Sequence, residues 1–173
     1  MSRAVPFLVL CILACRSSRA ARGPVEGQLE LHWNDSARAV TLLAPVEAHW
    51  CAGDTLLELL AIHRDTSFGV ALLARDSLRA DSFMVIQGGV YVPRRPYAEG
   101  ALRALGVTDL KGYNSIWGLV TLTEARSTRV SGSLDMHVAG GSHDTLHLVG
   151  RFDRVAVAPA GLPCGRSNKP RSP

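Results

Sequence analysis

After Ala14 the chain has no apolar run near the ~20 residues that a membrane-crossing helix needs. It also lacks the motifs of the common nucleophile and metal hydrolases: no Gly-x-Ser-x-Gly, no Ser-x-x-Lys and no His-Glu-x-x-His. Gly88-Gly89 and Gly140-Gly141 lack the spacing and following helix of a phosphate cradle and read as a bulge and a turn. No internal repeat is evident. Basic stripes interleaved with aromatics are missing as well, although the formal charge is +4. That charge sits at the ends: Arg3, Arg16, Arg19 and Arg22 precede Val25, and Arg166, Lys169 and Arg171 follow Cys164. Residues 25–164 carry 12 basic and 15 acidic side chains, so the body of the chain is mildly acidic and nucleic acid is not an expected partner.

What is present begins with a leader. Arg3 gives a positive start, residues 4–14 form an uncharged apolar run too short to span a bilayer, and Ile12-Leu13-Ala14-Cys15 follows at once. The run Ile-Leu-Ala-Cys resembles the lipobox of bacterial lipoproteins, in which a dedicated peptidase cuts before a Cys that has received a diacylglyceryl group. The resemblance covers the leader only. It implies an envelope lipoprotein with Cys15 as its acylated first residue. Because Arg16 stands where some Gram-negative lipoproteins carry a retaining Asp, it further implies the outer membrane and a periplasm-facing domain. Ser18-Arg19-Ala20 offers an ordinary cleavage site instead, which would give a secreted protein.

The expected organisation is a signal peptide over residues 1–14, a lipidated Cys and flexible linker over 15–24, one domain over 25–164 and a disordered tail over 165–173. With Cys11 lost and Cys15 acylated, Cys51 and Cys164 remain as an even pair in an oxidising compartment, and a disulfide between them is expected. Closing so long a loop contributes ~4–5 kcal/mol in the chain-entropy description. Two buried free thiols are the alternative.

Period-two alternation dominates from Gln28 onward. Leu29, Leu31 and Trp33 alternate with Gln28, Glu30 and His32, and a turn over 34–37 sets Leu31 opposite Val40 and Leu29 opposite Leu42. Residues 47–51 form a short candidate strand. Residues 56–63 and 68–75 form a second hairpin with a loop at 64–67, pairing Leu57, Leu59 and Ala61 with Ala74, Leu72 and Val70. A helix capped by Asp54 is the rival for 54–62. Both hairpin faces are largely apolar, so the second is covered, lines a cavity or meets a partner. Residues 82–86 read as a strand continuing through 90–92, and 97–105 as a short helix or an edge strand.

Residues 116–124, 129–138 and 145–157 read as a three-stranded meander. Its turns set Trp117, Leu119, Val130, Leu134, Met136, Val138, Leu146, Leu148 and Phe152 on a core face, with Ser131, Ser133, Asp135, His137, His147 and Arg151 on the other. Short strands separated by frequent turns make the chain all-β, a single-domain antiparallel sandwich or barrel.

Candidate sites are few. His137 lies opposite His147, and with His143 in the intervening turn the three form a candidate Zn²⁺ or Cu²⁺ site, although solvated histidines account for the same pattern. Glu58, within an apolar strand, is a candidate buried acid or base, or an ordinary ion-pair partner for a neighbour such as Arg75. Trp33, His49 and Trp50 are a candidate aromatic surface or plain core. Asn34-Asp35-Ser36 is a glycosylation sequon that matters only in a eukaryotic host. No cofactor is implied. The expected function is a membrane-tethered, non-catalytic binding or structural module of the envelope. The alternatives are a carrier of lipid or other apolar ligand inside a barrel, and a metal-binding protein.

Overall fold

A computed structural model describes residues 25–35, 38–51, 56–75, 77–88, 96–105, 109–141 and 144–162. Cys15, His143, Cys164 and the expected leader, linker and tail lie outside the described residues. Within them the alternating pattern produces nine strands: β1 Gln28–Asp35, β2 Arg38–Cys51, β3 Leu56–His63, β4 Thr66–Leu73, β5 Ser82–Val85, β6 Tyr97–Leu105, β7 Leu110–Ala125, β8 Arg129–Gly140 and β9 Thr145–Leu162. They form one sheet in the order β1-β2-β3-β4-β6-β5-β7-β8-β9, closed into a barrel by the pairing of β9 with β1. The all-β reading and the C-terminal meander both hold.

The inward set follows the alternation. Leu29, Leu31 and Trp33 of β1 meet Leu57, Leu59 and Ala61 of β3, Phe68, Val70 and Leu72 of β4, and Leu134, Met136 and Val138 of β8 in one interior cluster. Burying so many large apolar side chains, each contributing about 1.5–3 kcal/mol, is the main drive for closure. Residues 56–63 are strand, with no helix. The second apolar face of that hairpin points outward, where Leu56, Leu73, Tyr97 and Cys51 form a small satellite cluster and Ile62 is exposed.

Both early hairpins are tighter than their sequences suggest. Asp35 pairs with Arg38 and His63 with Thr66, so each connection is two residues long, with Arg64 in the left-handed region at φ 54°. Leu31 therefore faces Leu42 rather than Val40, and Leu57 faces Leu72 rather than Ala74. The stretch expected as a separate strand at 47–51 is the second half of β2. That strand pairs with β1 in its first half and with β3 and the end of β9 in its second. Residues 97–105 are neither helix nor edge: β6 sits between β4 on one side and β5 and β7 on the other.

Two expected faces are overturned in the meander. Trp117 and Leu119 point outward, while Gly118, Val120 and Leu122 pair with Met136, Leu134 and Gly132. The cause is a bulge between Leu122 and Glu124, which slips the register by one residue and exchanges the faces of β7 beyond it. Ser131 is buried rather than wet, at a second bulge between Val130 and Gly132. Its hydroxyl donates to Asp153 Oδ1 at 3.2 Å and accepts from the Arg154 amide at 2.8 Å. Ser115 plays the same part at a third bulge, between Ser115 and Trp117, donating to the Ile86 carbonyl at 2.6 Å and accepting from the Gly100 amide at 3.0 Å. Each buried hydroxyl replaces ladder bonds that an irregularity removes.

At the closing seam only four residue pairs join β1 to β9. An ion pair laid across it adds to them: Glu30 Oε2 accepts from Arg151 Nη2 at 2.7 Å and Nε at 2.8 Å. The hydrogen bond from Arg151 holds the Glu30 carboxyl below its ordinary value of 4.5, against the opposing effect of burial. A depressed carboxylate stabilises the fold above its unfolded-state value and loses that contribution as pH falls through the lowered one. Glu30→Gln should therefore lower the urea midpoint at neutral pH, by the equivalent of about 1 kcal/mol or less for so exposed a pair. The gap to the parent protein should close as the pH is taken from about 6 towards about 3.

Glycine is required beside the second bulge for steric reasons: a Cβ on Gly132 would press against the Thr121 carbonyl oxygen and the Phe152 ring. Gly132→Ala should cost about 2–3 kcal/mol in urea denaturation, against less than about 1 kcal/mol for Gly112→Ala, where a Cβ meets open space.

Candidate binding face

Because the interior is filled, the side chains available for chemistry are those that the alternation sends outward. On the outside of the meander these form rows, since paired residues on adjacent strands share a face. One row runs from Met84 on β5 through Leu119, Asp135 and Val149 to His32 on β1 and Thr41 on β2. The next holds Trp117, His137 and His147 on β7, β8 and β9.

The three rings of that second row stack. Trp117 and His137 have centroids 3.7 Å apart at an interplanar angle of 17°, and His137 and His147 are 4.5 Å apart at 8°. His137 is thus sandwiched between an indole and an imidazole. His147 is fixed at its other side by Asp135, with Nε2 2.7 Å from Oδ1. Trp117 remains 57% exposed, and Met84, Leu119 and Val149 are each at least 44% exposed. An open tryptophan flanked by three open aliphatic side chains is the kind of patch that marks a contact surface.

The facing pair expected of His137 and His147 is therefore present, but parallel stacked rings direct their in-plane lone pairs side by side rather than towards one point. A tetrahedral site needs converging donors. Among the described residues no group of three or more His, Cys, Asp or Glu side chains is disposed to hold a metal, and His143 lies outside them.

The remaining candidates are scattered. Glu58 pairs with His49 across β2 and β3, Oε2 to Nε2 at 3.3 Å, and its side chain is one-third exposed. That places it on the outer wall in polar contact with a neighbour, His49. Trp33 is interior core, and Trp50 is partly buried against the core cluster, so the two do not form a surface with His49. Cys51 is buried at the end of β2. Trp117 was hidden from sequence reasoning by the face exchange; the available signal was Gly118, an unusual residue in a long strand, here at φ 142°.

If the Trp117 row is a contact surface rather than part of the core, Trp117→Ala should lower folding stability by no more than about 1 kcal/mol, the scale of an exposed aromatic pair. Leu134→Ala, which empties the interior, should cost about 2–5 kcal/mol in the same denaturation assay. No protein-family model matches the chain, and no curated protein or solved structure is similar enough to it to lend it a family or a role.

Proposed function

We propose that the protein is a bacterial envelope lipoprotein, tethered to the membrane through Cys15, whose barrel is a non-catalytic binding or structural module. The observation that carries the second part is the inversion of the fold's resources. The interior is packed, with a residual void of about 10 Å³ between Leu29, Leu59, Phe68, Leu134 and their neighbours. The outer wall meanwhile exposes Trp117, Leu119, Val149 and Met84 together. A carrier of lipid inside the barrel would use a cavity of ~300 Å³ or more, so the packing weighs towards a module that works with its outside. The partner on this reading is another envelope protein.

The tether draws its support from the leader: the short apolar run, Arg3 and the Ile12-Leu13-Ala14-Cys15 sequence. No helix among the described residues is long and apolar enough to cross a membrane. The proposed Cys51–Cys164 disulfide is supported by the parallel pairing of β2 with β9, which sets Leu162 beside the buried Cys51, two residues short of Cys164.

Intact mass of the protein from its native membrane fraction tests the tether and the bond together. A chain beginning at Cys15 with acyl chains attached, gaining about 2 Da on reduction, is the expected result. An unmodified chain in the soluble fraction would overturn the tether. For the contact face, a photo-crosslinking residue at position 119 should trap a discrete envelope protein in cells, whereas one at position 47 on another wall should not. Equal or absent trapping at both would overturn the assignment of that face.

A further inference from the structure

The barrel has two unlike ends. At one, β1 begins at Gln28 and β9 finishes at Leu162; at the other β1, β3 and β6 finish at Asp35, His63 and Leu105 and β9 begins at Thr145. The turn end opens into a depression of about 310 Å³. Its apolar lining comes from Trp33, Val40, Tyr113 and Leu146, the last inward-facing side chains before the interior closes over. Burial pushes the Tyr113 phenol above its ordinary value.

Charges stand around it. Lys111 is taken up by Asp144, with Nζ 3.2 Å from Oδ2. Arg38 and Arg64 also line the depression, and neither makes an ion pair among the described residues. Asp35 and Asp65 share the lining, and Asp35 has an interaction partner of its own. Two guanidiniums without an ion pair among the described residues, Arg38 and Arg64, thus stand beside Asp35 and Asp65 at the mouth of an apolar recess. Guanidinium donors in fork geometry suit carboxylate or phosphate oxygens, and mouths of barrels are a recurrent place for small ligands.

We propose that this mouth is a binding site for a small amphiphilic anion: an aromatic or aliphatic body seated against Trp33, Val40, Tyr113 and Leu146, and a carboxylate or phosphate group held by Arg38 and Arg64. The volume stands at the lower end of the ~300–1,000 Å³ range of small-molecule sites, which limits the body to about one ring or a short chain. The site requires neither the membrane tether nor the outer Trp117 face. It adds a small ligand to a module otherwise read as a protein binder.

The test uses ¹⁵N-labelled protein spanning residues 16–173 and phenylacetate as the probe, with acetate and 2-phenylethanol as its anionic and apolar halves. Phenylacetate should shift the amides of Arg38, Thr66, Lys111 and Tyr113 saturably, with a dissociation constant of about 1 mM or tighter. Each half alone should bind at least about tenfold more weakly. Arg38→Gln combined with Arg64→Asn, the latter chosen because Asn tolerates a positive φ, should weaken phenylacetate by about tenfold or more with spectral dispersion retained. Arg79→Gln, at the depression on the opposite end, should leave binding unchanged. An absence of saturable shifts overturns the site. So does acetate binding as well as phenylacetate, which would mean an unspecific anion contact, and so does unchanged affinity in the double variant. If the double variant loses spectral dispersion, Arg38→Gln and Arg64→Asn are measured singly: phenylacetate weakened about threefold or more in either supports the site, and unchanged affinity in both overturns it.

Discussion

Closure of the sheet on itself is the constraint from which the other features follow. An open nine-stranded sheet would leave two rows of unpaired amides and carbonyls and an uncovered apolar face. Pairing β9 with β1 removes both at once. Closure fixes which residues are inside, and the size of the ring leaves room for side chains and little else, as the interior void of about 10 Å³ attests. The outer wall and the two ends are therefore the open surfaces of the described residues. The seam itself is short, and the Glu30–Arg151 pair and the parallel run of β2 beside the end of β9 reinforce it.

How much of this was legible in the sequence comes down to parity. Where a turn proved two residues tighter than expected, as at Asp35–Arg38 and His63–Thr66, the partners moved by two and the faces stayed correct; Leu29, Leu31, Leu57, Leu59 and Ala61 are inside as read. Where a bulge moved the register by one, at Leu122–Glu124, the faces exchanged and Trp117 and Leu119 came out; at Val130–Gly132 the core positions Val130 and Leu134 stayed inside, but Ser131 became buried. Alternation cannot reveal such a slip, because the residues on either side alternate equally well. The glycines that accompany the bulges, Gly118 and Gly132, are its nearest trace: a Cβ on either would collide with backbone of the neighbouring strand. The segment at 97–105 was misread for a different reason. Gly100 and its small neighbours look weak as a strand, yet in place a Cβ on Gly100 would crowd Met136 across the interior.

The same slip governed the candidate site. His137 and His147 were correctly set opposite each other, but without Trp117 beside them they read either as solvated histidines or, with His143, as candidate metal ligands. With the indole restored to that face they form a stack of three rings closed by Asp135, and the pattern changes from converging donors to a flat aromatic rib. The turn-end recess was not legible at all. Trp33 and Arg38 share the first hairpin, but Arg64 and Tyr113 lie 26 and 75 residues beyond Arg38, and only the folded ring brings all four to one rim.

A ring whose first strand is hydrogen-bonded to its last also sets an order of events. β1 is made early and the stretch of β9 that pairs with it, Val149 to Phe152, late, so the barrel cannot close during synthesis until that stretch has been made. Contacts of such long sequence separation slow folding. In the interval one edge of β1 stays unpaired beside Leu29, Leu31 and Trp33. The architecture thus leaves closure of the ring to its final strand.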